Sequence, residues 1–309
     1  MLTTWKKAGA AAGLSLSLVL AACGAEEEEP AEEAPEGTEE GSEEASSNLG
    51  EEVDYTITGI DAGAGVMASA EQAIEDYGLE DWELQPSSDA AMTSALTEAV
   101  ENEEPIVVTG WNPHWKFAVH DLKYLEDPEG SFGEAEDIHT LVRNGLEEDK
   151  PEAYEVLDNF AWEGEDMEEV MLDIYEGTDE QEAARNWVDE NEDTVSEWTE
   201  GVEEVEGEEI SLVFVAWDSE IASTNVIAEV LKDVGYEVET TSMEAPHMFA
   251  AIAEDEADAM VAAWLPATHE QYYNDYEGEF EDLGVNLEGA KIGLVVPEYV
   301  EADSIEDLQ

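Results

Sequence analysis

Ile106-Val107-Val108-Thr109-Gly110-Trp111 is a run of β-formers that stops at an indole. Leu212-Val213-Phe214-Val215-Ala216-Trp217 and Ala259-Met260-Val261-Ala262-Ala263-Trp264 do the same. Short apolar runs of this kind are strands buried on both faces of a sheet. Around the first run, residues 53–60 and 82–88 predict two more strands, and residues 65–78 and 90–103 predict helices. Around the other two, residues 236–243 predict a strand, and 219–235 and 246–257 predict helices. Each block therefore alternates strand, helix, strand, helix, strand, which implies a parallel sheet with helical crossovers. A last apolar run, residues 290–300, closes the second block, and the composition between about 138 and 205 is helical. In open α/β sheets ligands bind beyond the carboxyl ends of the strands. Trp111, Trp217 and Trp264 thus all point toward candidate ligand positions, and two lobes facing each other would bring them together.

The chain has 309 residues, enough for one or two compact domains. Nine Lys and Arg stand against 83 Asp and Glu, a formal net charge of −74. Such a surface excludes nucleic acid as a partner, because counterion release needs a basic face. It also gives no attraction to anionic lipid. Self-repulsion of this size is tolerable where the Debye length is short, about 3 Å at molar salt, so the charge reads as adaptation to a saline medium. Calcium loading is the alternative, but no D-x-[DN]-x-[DN]-G loop occurs.

Residues 1–22 contain no acid; Lys6 and Lys7 precede a short apolar core too brief to span a bilayer well, the pattern of a signal peptide. Leu20-Ala21-Ala22-Cys23 resembles a bacterial lipobox, which makes Cys23 the expected lipid attachment point. As the single Cys of the chain, it leaves no disulfide or cysteine metal site to form. Residues 23–51 are mostly Glu with Pro, Gly and Ser and are expected to be a disordered, self-repelling tether.

Three indoles at strand ends suit a methylated ammonium. Such a cation has no N–H to donate, but the negative faces of aromatic rings attract it by ~0.5 to 2 kcal/mol per contact. Trp82, Trp162, Trp187 and Trp198 fit core packing instead. Gly63-Ala64-Gly65-Val66-Met67-Ala68 satisfies G-x-G-x-x-[GA], a weak dinucleotide signal when alone. The same turn could offer helix N-terminal amides to a carboxylate, or be a tight turn with no ligand. The five histidines form no H-E-x-x-H pair and no convincing zinc spacing. His269 lies just past a strand end, where it could donate to a carboxylate or simply sit at the surface or cap a helix. Neither G-x-S-x-G nor a P-loop is present, so an enzyme has no nucleophile or phosphate cradle here.

The stretches VVTGWNPHW, DLKYLEDPEG, AWDSEIASTNV, ADAMVAAWLPATHEQYY and DLGVNLEGAKIGLVVP resemble the glycine betaine-binding lipoproteins of osmoprotectant ABC importers, the OpuAC type. The likeness runs from about residue 53 to the end. It implies an α/β, two-lobed periplasmic-binding-protein fold (type II) with the ligand in the interlobe cleft. It further implies a quaternary-ammonium box of Trp111, Trp217 and Trp264, and carboxylate donors at His269 and at the amides of Gly65 and Val66. No cofactor or metal is implied. The partners would be glycine betaine, a membrane permease and, through the lipid, the outer face of the cytoplasmic membrane. Choline, carnitine or proline betaine are alternative ligands, and a secreted cofactor-binding enzyme is the remote alternative. Some relatives carry the two halves in the opposite order, so the chain resembles a circular permutation. The expected lobes are 53–135 and 138–296, with 297–309 returning to the hinge.

Overall fold

Val107–Asn112 forms β3 in the computed structural model, which describes residues 49–309. The expected signal peptide, Cys23 and nearly all of the acidic tether lie outside the described residues. β3 is buried along all but its last residue, as its unbroken apolar run requires. It pairs in parallel with β1 (Thr56–Thr58), which pairs in parallel with β2 (Glu83–Gln85). The helices Gly65–Asp76 and Asp89–Asn102 make the crossovers. This half-sheet is completed by the end of β9 (Phe280–Pro297), antiparallel to β3, and by β4 (Leu122–Tyr124) on β9.

The second half repeats the plan. β6 (Glu209–Phe214) lies parallel to β7 (Glu237–Ser242) and to β8 (Ala259–Leu265), with the helices Asp218–Val234 and Ala245–Ala253 between them. β5 (Glu136–Arg143) is antiparallel to both β8 and β9. The strand order is β2-β1-β3-β9-β5-β8-β6-β7.

β9 joins the halves. Its residues up to Ala290 pair with β5, and Lys291 to Pro297 pair with β3 and β4. The expected end of the second lobe at 296 is therefore displaced: Lys291–Pro297 belong to the first half-sheet, where Leu294, Val295 and Val296 are fully buried. The tail after β9 also lies on the first lobe. Trp82 Nε1 donates to Leu308 O at 2.9 Å, Ile305 N to Glu126 O at 3.0 Å and Gln309 Nε2 to Tyr77 O at 2.9 Å.

The helical segment starts later than residue 138. Glu136–Arg143 is strand, and helices occupy the stretch from Leu146 to Trp198. Ile138, Leu141 and Val142 are fully buried in a strand held on both sides, so tertiary pairing overrides the helical composition of the neighbouring chain. Asn191 separates the helices Glu180–Glu190 and Glu192–Trp198. Phe160, Trp162, Trp187 and Trp198 form one aromatic cluster here, with ring centroids 4.9 to 5.6 Å apart.

Candidate functional site

Trp111 is the fifth residue of β3 and Trp264 the sixth of β8; both strands leave the sheet through cis X–Pro bonds, Asn112–Pro113 and Leu265–Pro266. Trp217 sits three residues beyond the end of β6, at the N-cap position of the helix Asp218–Val234. With Ile60, Ala64, Gly65, Val66, Thr268 and Ile292, the three indoles line one small cavity. Trp111 and the 60–66 segment come from the first lobe, Trp217, Trp264 and Thr268 from the second. The cavity thus lies between the lobes, and the indoles are only 4, 5 and 3 % exposed.

Every indole N–H of the three is already engaged. Trp217 Nε1 donates to Asp61 Oδ2 across the interlobe gap at 3.1 Å. Trp264 Nε1 donates to Glu220 Oε1 at 2.8 Å. Trp111 Nε1 reaches across to Ser219 Oγ at 3.3 Å, and Ser219 Oγ donates to Glu220 Oε2 at 2.7 Å. With their polar edges used by protein, the rings can offer the cavity only apolar surface and π-density. That is the chemistry of a cation without donors.

Polar groups gather at the 264–269 turn and at the facing helix start. Gly65 and Val66 open the helix Gly65–Asp76, so their N–H groups have no intrahelical acceptor. Gly65 faces Thr268 so closely that a Cβ there would run into the Thr268 carbonyl group. Glu136 anchors that turn by accepting from Ala267 N at 3.2 Å, Thr268 N at 2.9 Å and the Thr268 hydroxyl. His269 Nδ1 accepts from Trp264 N at 3.0 Å, which leaves the proton on Nε2. Nε2 is buried without a partner, and burial pulls the imidazole pKa down to about 3. His269 is therefore a neutral donor at any physiological pH, stacked beside Trp217 with ring centroids 6.2 Å apart.

The sequence reading named the cavity-lining indoles, Gly65, Val66 and His269, and missed the residues that hold them: Asp61, Glu136, Ser219 and Glu220. It also missed a second interlobe cluster. Asp218 N donates to Asp89 Oδ2 at 2.9 Å, Trp115 Nε1 to Asp218 Oδ2 at 2.5 Å, and Trp115 stacks on Tyr175 at 3.8 Å. Asp89, His114 and Asp218 place potential ligand atoms within 4.8 Å of one another. The fully buried Lys116 amine is attracted electrostatically to both carboxylates, but its Nζ makes no hydrogen bond. Burial pulls that amine down to about 7, and it lies 3.9 Å from the Trp111 ring centroid. Nothing in a chain with 83 acids could single out these few.

Two α/β half-sheets joined by a shared strand, with an aromatic cavity between them, define a two-lobed solute-binding protein of the periplasmic-binding-protein kind. The chain belongs to the OpuAC family, the substrate-binding domain of ABC-type glycine betaine transport systems, whose family model matches residues 40–190 and 208–309. It is 60 % identical over 265 residues to the glycine betaine/carnitine transport binding protein GbuC of Listeria monocytogenes, covering 85 % of this chain and 88 % of that protein. Among solved structures, lactococcal OpuAC, closed around glycine betaine, is 52 % identical with a TM-score of 0.46. That match covers 48 % of this chain and 59 % of the lactococcal one. The glycine/betaine/L-proline-binding protein ProX of Borrelia burgdorferi is 39 % identical with the same TM-score, over 48 % of this chain and 57 % of that one. The chain thus spans less than two thirds of either solved relative.

Proposed function

We propose that this protein captures glycine betaine outside the cytoplasmic membrane and delivers it to an ABC permease, held at the membrane by a lipid on Cys23. The trimethylammonium group is bound by Trp111, Trp217 and Trp264. The carboxylate accepts from His269 Nε2–H and from the amides of Gly65 and Val66. The observation that carries the reading is the pairing of two features beside one cavity. Indole walls with spent N–H edges suit a methylated cation. A buried neutral imidazole donor without a partner, which costs about 1–3 kcal/mol if left unmade, suits an anion. Ligands with both ends in one small molecule are betaines. Contacts from both lobes to one ligand then stabilise the closed form.

Carnitine and proline betaine share both groups and remain within this reading; choline lacks the carboxylate. Calorimetric titration at high salt should give betaine much tighter than choline. His269→Ala should weaken betaine about 10- to 100-fold, the loss of one charge-assisted hydrogen bond, and leave choline within about twofold. Equal losses for both ligands would sink the assignment of the carboxylate end.

A further inference from the structure

Glu220 is the first residue after Ser219 in the helix Asp218–Val234, and its side chain is fully buried. Both carboxyl oxygens accept: Oε1 from Trp264 Nε1 at 2.8 Å, Oε2 from Ser219 Oγ at 2.7 Å. Ser219 Oγ in turn accepts from Trp111 Nε1, so one carboxyl group is bonded to two of the three cavity indoles, one directly and one through a hydroxyl. None of the ion pairs among the described residues includes Glu220. The charge acting on it from across the lobes is Asp89, of the same sign.

We infer that Glu220 is a specificity-determining residue of this site, positioning Trp111 and Trp264 and supplying negative potential behind them that a cation in the cavity balances. The inference rests on the betaine reading above and deepens it. A buried carboxylate is costly unless a positive group compensates it. Burial accordingly pushes Glu220 up to about 8, which is the cost of the buried charge that a bound cation offsets. A fixed cation on the far side of the indoles adds a countercharge that no ion pair among the described residues gives Glu220. Donation of indole N–H to an anionic oxygen also raises electron density over the ring, which strengthens the attraction of its face for the cation. A carboxylic acid of the same shape without the cation gains from neither effect. The Trp111–Ser219 bond crosses the lobes, so the same carboxyl group is linked to closure.

The test uses the full chain at high salt and two ligands of matched shape, glycine betaine and 3,3-dimethylbutanoate, in which carbon replaces the quaternary nitrogen. Wild type should bind betaine far more tightly. Glu220→Gln keeps an acceptor for Trp264 but removes the charge. It should lose about tenfold or more in betaine affinity, about 1.4 kcal/mol per tenfold, with 3,3-dimethylbutanoate changed less than about twofold. An unchanged preference in E220Q overturns the inference while leaving the betaine reading intact. Failure of wild type to bind betaine overturns both. Should E220Q not fold, as judged by thermal melting, Ser219→Ala decides. It cuts the hydroxyl link between the carboxylate and Trp111, so betaine should lose more affinity than 3,3-dimethylbutanoate, and equal losses would overturn the assignment.

Discussion

Gly65 decides by its missing side chain how closely the lobes can meet. Its backbone is ordinary helix, so nothing local requires glycine; what requires it is the Thr268 carbonyl of the opposite lobe, which would overlap a Cβ. Gly65→Ala should therefore leave the empty protein as stable or more so, by up to about 1 kcal/mol, since Ala favours the helix. Its cost should fall on closure. The upward shift in melting temperature on adding saturating betaine, set by affinity, should shrink or vanish. Equal ligand-induced shifts in variant and wild type would show that the lobes close without this contact. At this scale the candidate site was legible where residue types are scarce: indoles ending strands, and a lone imidazole past one of them. Gly65 and Val66 emerged only from the family resemblance, because a Gly-rich turn serves many purposes. Glu220, Asp89 and Glu136 were invisible, because an acid that is buried looks in sequence like any acid that is not.

Elements were legible where one period ran unbroken. The alternation around β3 and around β6 and β8 gave the parallel halves and their crossovers. β5 and the first part of β9 were not, since both owe their conformation to neighbours: β9 pairs with different partners along its length, and its Gly284 and Gly289 take left-handed φ values of 102° and 78° that a plain strand would not need. Beyond its ladders to β8 and β9, β5 is tied to the rest of its half-sheet by one carboxylate. Asp258, just before β8, accepts from Arg143 Nε on β5 at 2.8 Å, from Lys150 Nζ at 2.6 Å, and from Ser211 N on β6 at 2.9 Å. Burial alone would raise its pKa, but Lys150, the Ser211 amide and Arg143 together hold it below the ordinary value. That depression sets the sign of the pH dependence. The contribution is fully present above the unfolded carboxyl value of about 3.9, and is lost as pH falls through the lower folded value. Asp258→Asn should cost about 3 kcal/mol in denaturant unfolding at neutral pH, the loss of one partner in a largely buried network. The gap to wild type should narrow as the pH is taken below about 4. A gap that stays constant into acid would mean that shape at this position, and not charge, holds the elements together.

At the scale of the whole molecule, the charge imbalance is sharper than the totals suggest. Each Lys and Arg among the described residues already has a partner. Lys123 pairs with Asp303, Arg143 and Lys150 with Asp258, Arg185 with Asp189 and Asp233, and Lys232 with Glu229. Lys116 lies over Trp111 and Lys291 over Tyr124. The remaining surface acids therefore have only dissolved cations to oppose them. Their mutual repulsion acts over about 30 Å at 0.01 M salt and about 3 Å at 1 M, so folding stability should climb steeply as sodium chloride is added from the low end. The domain should unfold reversibly when salt is dialysed away, as monitored by far-UV circular dichroism. Salt can also stabilise by exclusion from the surface, which sucrose shares. Screening and exclusion separate in the comparison. If screening governs, sucrose at matched osmolality rescues little and most of the gain falls within the first few tenths molar. A protein equally stable at millimolar and molar salt would refute the saline reading, and a gain that sucrose reproduces would assign it to exclusion.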